Sequence, residues 1–128
     1  MNLLLDTHLL LWSAGRDDMM SLAADRLVKD VDNTLWFSVA SIWEVAIKRA
    51  LDRPDFRTDP MQLRAGLLSN GYAELPIEGR HLLSLLTLPS LHGDPFDRIL
   101  VAQAMAEGMI LVTADKMVAA YGGSVRLV

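Results

Sequence analysis

Several short apolar runs, at residues 3–5, 34–39 and 109–113, lack the in-and-out alternation of a strand with one wet face. Strands of this kind are apolar on both sides and belong inside a sheet that is covered on both faces. Weaker strand signals lie at 72–77 and 125–128. Helical segments separate all of these. An apolar turn runs through Trp12, and a helix capped by Ser21 runs to about Asp32. Others cover 41–51, Pro60 to the Asn70-Gly71 stop, 79–86, the stretch PFDRILVAQAMAEG from Pro95, and 116–121. Doubly buried strands alternating with helices leave one architecture, a three-layer α/β/α sandwich with a mainly parallel central sheet.

At 128 residues, 52% of them apolar, the chain suffices for one core, and residues 1–128 read as a single domain without repeats or linkers. Zero cysteines exclude disulfides and thiolate metal sites and fit a cytoplasmic setting. No Lys or Arg precedes the first leucines, and Asp6 and His8 interrupt them, so a signal peptide is not expected and the mature chain is expected to start at or near Met1. The apolar runs are too short to span a membrane. With a net charge of −4, contact with nucleic acid requires a local basic patch.

A lone carboxylate is costly among leucines unless something compensates it, which makes Asp6 in MNLLLDTHLLLW the residue to explain. Ligands in parallel α/β sheets bind at the carboxyl ends of strands, near the point where strand order reverses. Asp6 follows the first strand, Glu44 lies in the helix after the second, and Asp115 follows the fourth by two residues. Asp94 and Asp97 open the helix leading into the fourth, through HGDPFDR. Each also has a structural reading. Asp6, Asp94 and Asp115 fit helix caps, Asp97 an N3 acid, and Ser41-x-x-Glu44 a capping box, with Glu44 four residues before Lys48 as a surface ion pair. Together they deliver acids from separate segments to one sheet edge. Such a cluster needs a hard cation, Mg²⁺ or Mn²⁺.

These residues resemble the PIN-domain family, and within it the VapC-like toxins of toxin–antitoxin pairs. The resemblance rests on LLLDTHLLLW, SVASIWEVAIK, HGDPFDRILVAQA and LVTADKMVAAY, which together span nearly the whole chain. It implies a Mg²⁺- or Mn²⁺-dependent endoribonuclease that leaves 5′-phosphate and 3′-hydroxyl ends, with an acidic site of Asp6, Glu44, Asp97 and Asp115. Asp6 and Asp97 would bind metal directly, and Glu44 and Asp115 directly or through water. Asp97 precedes the family's DxxLxAxA helix, which leaves Asp94 as cap or outer support. Thr7, Thr113 and Ser38 take supporting positions. His8 stands where Asn is frequent in the family. The implied partners are an RNA substrate, a VapB-like antitoxin and a second copy of the chain in a homodimer.

Lys48, Arg49, Arg98 and Lys116, with Arg53 and Arg57, are candidate phosphate contacts, set against the ordinary reading of a solvated face. Trp12, Met19, Met20, Trp43, Phe56 and Met61 are core residues in part, and any left exposed would form a groove for the antitoxin. A transition-metal site built on His8 with Asp6, or His92 with Asp94, lacks paired histidine spacing, and His81 fits a surface or satisfied structural position. A receiver-like phosphoacceptor would need adjacent acids after the first strand and a late Lys-Pro, and neither is present. A catalytically inactive PIN domain would have no need of all four acids.

Overall fold

The computed structural model describes residues 1–91 and 93–128; His92, and with it the His92–Asp94 metal reading, lies outside the described residues. Strands β1 (Asn2–Leu5), β2 (Thr34–Ser38), β3 (Ala73–Leu75), β4 (Ile110–Thr113) and β5 (Val125–Leu127) form an all-parallel sheet in the order β3-β2-β1-β4-β5. Helices α1 (Thr7–Gly15), α2 (Leu22–Lys29), α3 (Val39–Ala50), α4 (Pro60–Ser69), α5 (Gly79–Leu86), α6 (Pro95–Glu107) and α7 (Lys116–Ala119) connect them, with a 3-10 turn at Asp17–Met19.

The predicted sandwich is the observed one, and the leucines of β1 show why. Leu3 and Leu5 enter one apolar cluster with Leu9, Leu10, Phe37 and Leu63. Leu4 points the other way, into a second cluster with Ile99, Leu100 and Leu111. A period-2 strand with cores on both sides has no polar position to alternate with.

Two sequence expectations need correction. Helix α2 stops at Lys29, capped by Asp30, and the chain turns before Asp32. Helix α3 starts earlier than the capping-box reading required. Ser38 ends β2 with extended backbone and accepts a hydrogen bond from Ala40 N, which makes it the N-cap and leaves Ser41 inside the helix. The box Ser41-x-x-Glu44 therefore does not form.

Strand order runs outward from β1 to β3 on one side and from β4 to β5 on the other, so the order reverses between β1 and β4. The β1–β4 ladder extends past the last residue of β1 there: Asp6 N donates to Val112 O at 3.0 Å.

Candidate active site

Asp6 emerges at this switch point, where it ends β1 and caps α1. Its Oδ1 accepts from Leu9 N at 3.0 Å and its Oδ2 from the hydroxyl of Thr113 at 2.5 Å. The residue is only 5% exposed. Burial pushes its carboxyl above the ordinary aspartate range, the hydrogen bonds from Thr113 and Leu9 offset this in part, and the nearby charge of Glu44 raises it further. Asp6 is thus aimed by two donors yet undercompensated in charge.

Thr113, fully buried at the end of β4, also accepts from Asp115 N at 3.0 Å. Asp115 caps α7 through a bond from Met117 N at 2.8 Å. One hydroxyl therefore ties the acids after β1 and β4 together. Both acids line a cavity of about 570 Å³ that also includes His8, Trp12, Arg16 and Arg57.

Glu44 is held from the other side. It is 2% exposed, and its Oε1 lies 2.5 Å from Thr7 Oγ1, which in turn lies 2.9 Å from Ser41 Oγ. A threonine hydroxyl carries one proton. With a carboxylate as neighbour that proton goes to Glu44, so Ser41 donates to Thr7 in a relay that ends on the acid. Ser41 escaped notice in the sequence as anything but a cap. Its signal was the i, i+3 spacing to Glu44, which puts both on one helix face.

Lys48 Nζ lies 2.5 Å from Glu44 Oε2 and 3.3 Å from Asp94 Oδ2. The pair expected on the helix surface is instead an inward one, with the lysine side chain 15% and the glutamate 3% exposed. Burial by itself would lower the lysine's pKa, but the bond and charge of Glu44, with those of Asp94, outweigh it and hold the ammonium charged. Asp94 caps α6 through Phe96 N and Asp97 N, and so sets the first turn that carries Asp97, which is partly buried. Asp6, Glu44, Asp94 and Asp115 thus belong to two linked networks that meet at the adjacent residues Asp6 and Thr7, with Asp97 one turn into α6.

The remaining candidates divide. Ser38 points away from the acids and donates to Gln103 Oε1 at 2.5 Å. Arg98 is occupied by the carbonyl of Pro89 and the hydroxyl of Tyr121, at 2.8 and 2.9 Å. Arg49 pairs loosely with Asp59 at 3.7 Å, and Lys116 is exposed beside Asp115. His8 packs against Trp12 and Phe56 and lies 3.9 Å from Asp55. Of the apolar set, Phe56 is core, Trp12 and Met20 pack against it, and Met19, Trp43 and Met61 are exposed.

Sequence reasoning missed a second polar assembly. Among the described residues, Glu78, His81 and Glu107 lie close enough to share a cation. Their place is the far end of α6, ten residues or about 15 Å beyond Asp97. Arg80 already bridges Glu78 and Glu107. His81, fully buried, accepts from Glu78 N at 2.9 Å and faces Gln103 Nε2 at 3.3 Å through Nδ1, which leaves Nε2 to donate to Glu107 at 2.7 Å. The expectation of a satisfied structural histidine holds. This is a neutralised network, distinct from the acids at the strand ends.

The donor set at the switch point is of the kind a hard divalent ion takes: oxygen donors throughout, Asp6 and Glu44 buried, Asp94 and Asp97 partly buried, Asp115 exposed, and a single lysine against several acids. Comparison with known proteins agrees in fold. A family model described as PIN domain matches residues 3–123. Similar solved structures include VapBC2 from Rickettsia felis bound to a promoter DNA fragment, with TM-score 0.69, 16% identity, and coverage of 100% of this chain and 98% of that one. VapBC-1 from nontypeable Haemophilus influenzae gives TM-score 0.68 at 16% identity, covering 100% and 97%. A toxin–antitoxin complex from Klebsiella pneumoniae gives 0.65 at 16%, covering 96% and 94%. A comparison with curated proteins finds no match.

Proposed function

The chain belongs to the PIN domain family, and from that premise we propose that it is a metal-dependent endoribonuclease acting as the toxin of a VapBC-like toxin–antitoxin pair. The observation that carries the proposal is a pair of linked networks at the β1/β4 switch point: Thr113 joins Asp6 to Asp115, while Thr7 holds Glu44 and Lys48 joins Glu44 to Asp94. The receiver-like alternative falls with the family match. The inactive-domain alternative is disfavoured because Asp6, Glu44, Asp97 and Asp115 are all present.

Asp6 and Asp97 would hold Mg²⁺ or Mn²⁺, with Glu44 and Asp115 completing the set directly or through water. A bound divalent ion supplies an activated water and neutralises the phosphate oxygens. The protein's own part is positional. Thr113 and the Leu9 amide fix both oxygens of Asp6, and Thr7 fixes one oxygen of Glu44, so neither acid must reorganise as charge develops. Exposed Lys116 and the cavity residue Arg57 stand where an incoming phosphodiester would pass, whereas Arg16 in the same cavity is paired with Asp18. Arg98 and Lys48 are already engaged and take no such part.

The structural neighbours are complexes with antitoxins, which supports a VapB-like antitoxin as partner, covering the groove near Trp12 and exposed Met19. A homodimer would add a second basic rim. Among the described residues no helix is long and apolar enough to cross a membrane; action in the cytoplasm is part of the proposal.

The test is cleavage of end-labelled RNA by purified protein with Mg²⁺, with Mn²⁺ and with EDTA. Cleavage should need the ion and should be lost in Asp6→Ala, Glu44→Ala and Asp97→Ala. Metal-independent cleavage, or full activity of Asp97→Ala, refutes the assignment. Expression without antitoxin should arrest growth, and indifference of the cells would leave a nuclease outside the toxin group.

A further inference from the structure

Lys48 is placed unlike a steering residue. Its ammonium sits between Glu44 Oε2 at 2.5 Å and Asp94 Oδ2 at 3.3 Å. It also lies 5.0 Å from the ring centroid of Phe56 and 5.7 Å from that of Phe96. Two carboxylates and two aromatic faces therefore surround one charge, and only 15% of its side chain reaches solvent. Because Lys48 stands one turn after Glu44 on α3, the helix itself sets this distance. Both oxygens of Glu44 thus have partners on this chain, Oε1 the hydroxyl of Thr7 and Oε2 the ammonium.

Two-ion phosphodiesterases use a pair of divalent ions about 3.5–4 Å apart, held and bridged by shared carboxylates. Here Glu44 and Asp94 are the acids available for the second of such a pair, and a side-chain cation already lies between them. Asp6, Asp97 and Asp115 are the acids proposed for the one ion, with Glu44 reaching it through water. We propose that Lys48 is a tethered cation standing in for a second divalent ion, so that the site binds one Mg²⁺ or Mn²⁺ per chain. The inference rests on the metal-dependent reading above and deepens it by assigning the stoichiometry and the residue that sets it.

The experiment is a Mn²⁺ titration of the full chain, followed by calorimetry and by electron paramagnetic resonance. The wild type should bind one Mn²⁺ per chain with the spectrum of an isolated ion. Lys48→Met and Lys48→Gln should bind two, with spin coupling between neighbouring ions. Both variants should also melt lower than wild type in EDTA, because Glu44 loses its counter-charge, and recover more than wild type in saturating Mn²⁺. Two ions in the wild type, or a single ion of unchanged affinity in folded variants, overturns the proposal while leaving metal dependence intact. Folded variants that bind no Mn²⁺ overturn it too, by showing that Lys48 supports the first site. A wild type that binds no Mn²⁺ refutes the metal-dependent reading itself. The wild-type count needs no variant, so the proposal stands or falls even if both substitutions prevent folding.

Discussion

Replacing Thr113 with valine removes one hydroxyl and keeps the side chain's shape. The residue is fully buried, and the hydroxyl serves two neighbours: it donates to Asp6 Oδ2 at 2.5 Å and accepts from Asp115 N at 3.0 Å. A hydrogen bond to a charged group contributes about 1.5–3 kcal/mol. The amide of Asp115 belongs to an exposed residue, so water replaces that bond at a cost of a few tenths of a kcal/mol at most. Valine suits a strand slightly better, which offsets a similar amount. The expected loss is therefore about 2 kcal/mol, a fall in Tm of roughly 6–8 °C for a chain of this size. Thermal unfolding in EDTA measures it. Thr113→Ser, which keeps the hydroxyl and gives up a methyl, should lose only about 0.8 kcal/mol. A double-mutant cycle with Asp6→Ala supplies the decisive number, since groups in contact couple by about 0.5–3 kcal/mol. A valine variant as stable as wild type, or one whose penalty is unchanged in the Asp6→Ala background, refutes the view that Thr113 is the donor that makes a buried Asp6 tolerable.

The charge of Asp6 also predicts a pH effect. Its carboxyl is raised in the folded protein by burial, so between its unfolded and folded pKa values the native state holds more protons; its contribution is fully present below the unfolded value and lost as pH rises through the folded one. In EDTA, the stability of Asp6→Asn relative to wild type should therefore grow as pH rises from the acid range towards neutrality. A difference that is flat with pH contradicts the raised carboxyl. Gln103→Leu should cost about 1–3 kcal/mol in urea melts, because it strands the hydroxyl of Ser38 in a fully buried place. A neutral outcome there would show that Ser38 finds another acceptor.

How much of this was legible in the sequence depends on how local the cause was. The parallel sandwich was legible because Leu3, Leu4 and Leu5 admit no wet face, and α6 was legible at both ends, from Asp94-Pro95 to Gly108 in its left-handed conformation with φ 66°. The position of Asp6 at the strand end followed from the same pattern. What stayed hidden was direction across the fold. Glu44–Lys48 reads as a surface pair from its spacing, and only the packing of α3 against α1 and α6 turns it inward. Ser38 looked like support for the acids, but at the last position of β2 its side chain faces Gln103 on α6. His81 on its leucine-rich helix gave no sign of Glu107, which lies 26 positions away.

Capping occupies one oxygen of each acid, so the proposed ligand role would fall to the other. Asp6 spends Oδ1 on Leu9 N, Asp94 spends Oδ1 on Phe96 N, and Asp115 spends Oδ1 on Met117 N. In Asp6 and Asp94 the other oxygen turns to Thr113 and Lys48. Capping is thus the means by which each carboxylate is aimed, and the two roles become separable by substitution. Asparagine caps a helix about as well as aspartate, so Asp115→Asn keeps the α7 cap and removes only the charge. In EDTA its melting should match wild type to within the roughly 0.3–1 kcal/mol that an acid contributes at a helix start. With Mn²⁺ at 100 times the wild-type Kd, the wild type should gain about 2.7 kcal/mol and the variant clearly less. An Asp115→Asn protein that melts lower in EDTA yet gains as much from Mn²⁺ as wild type would make Asp115 a cap alone, and would remove it from the acids assigned to the ion.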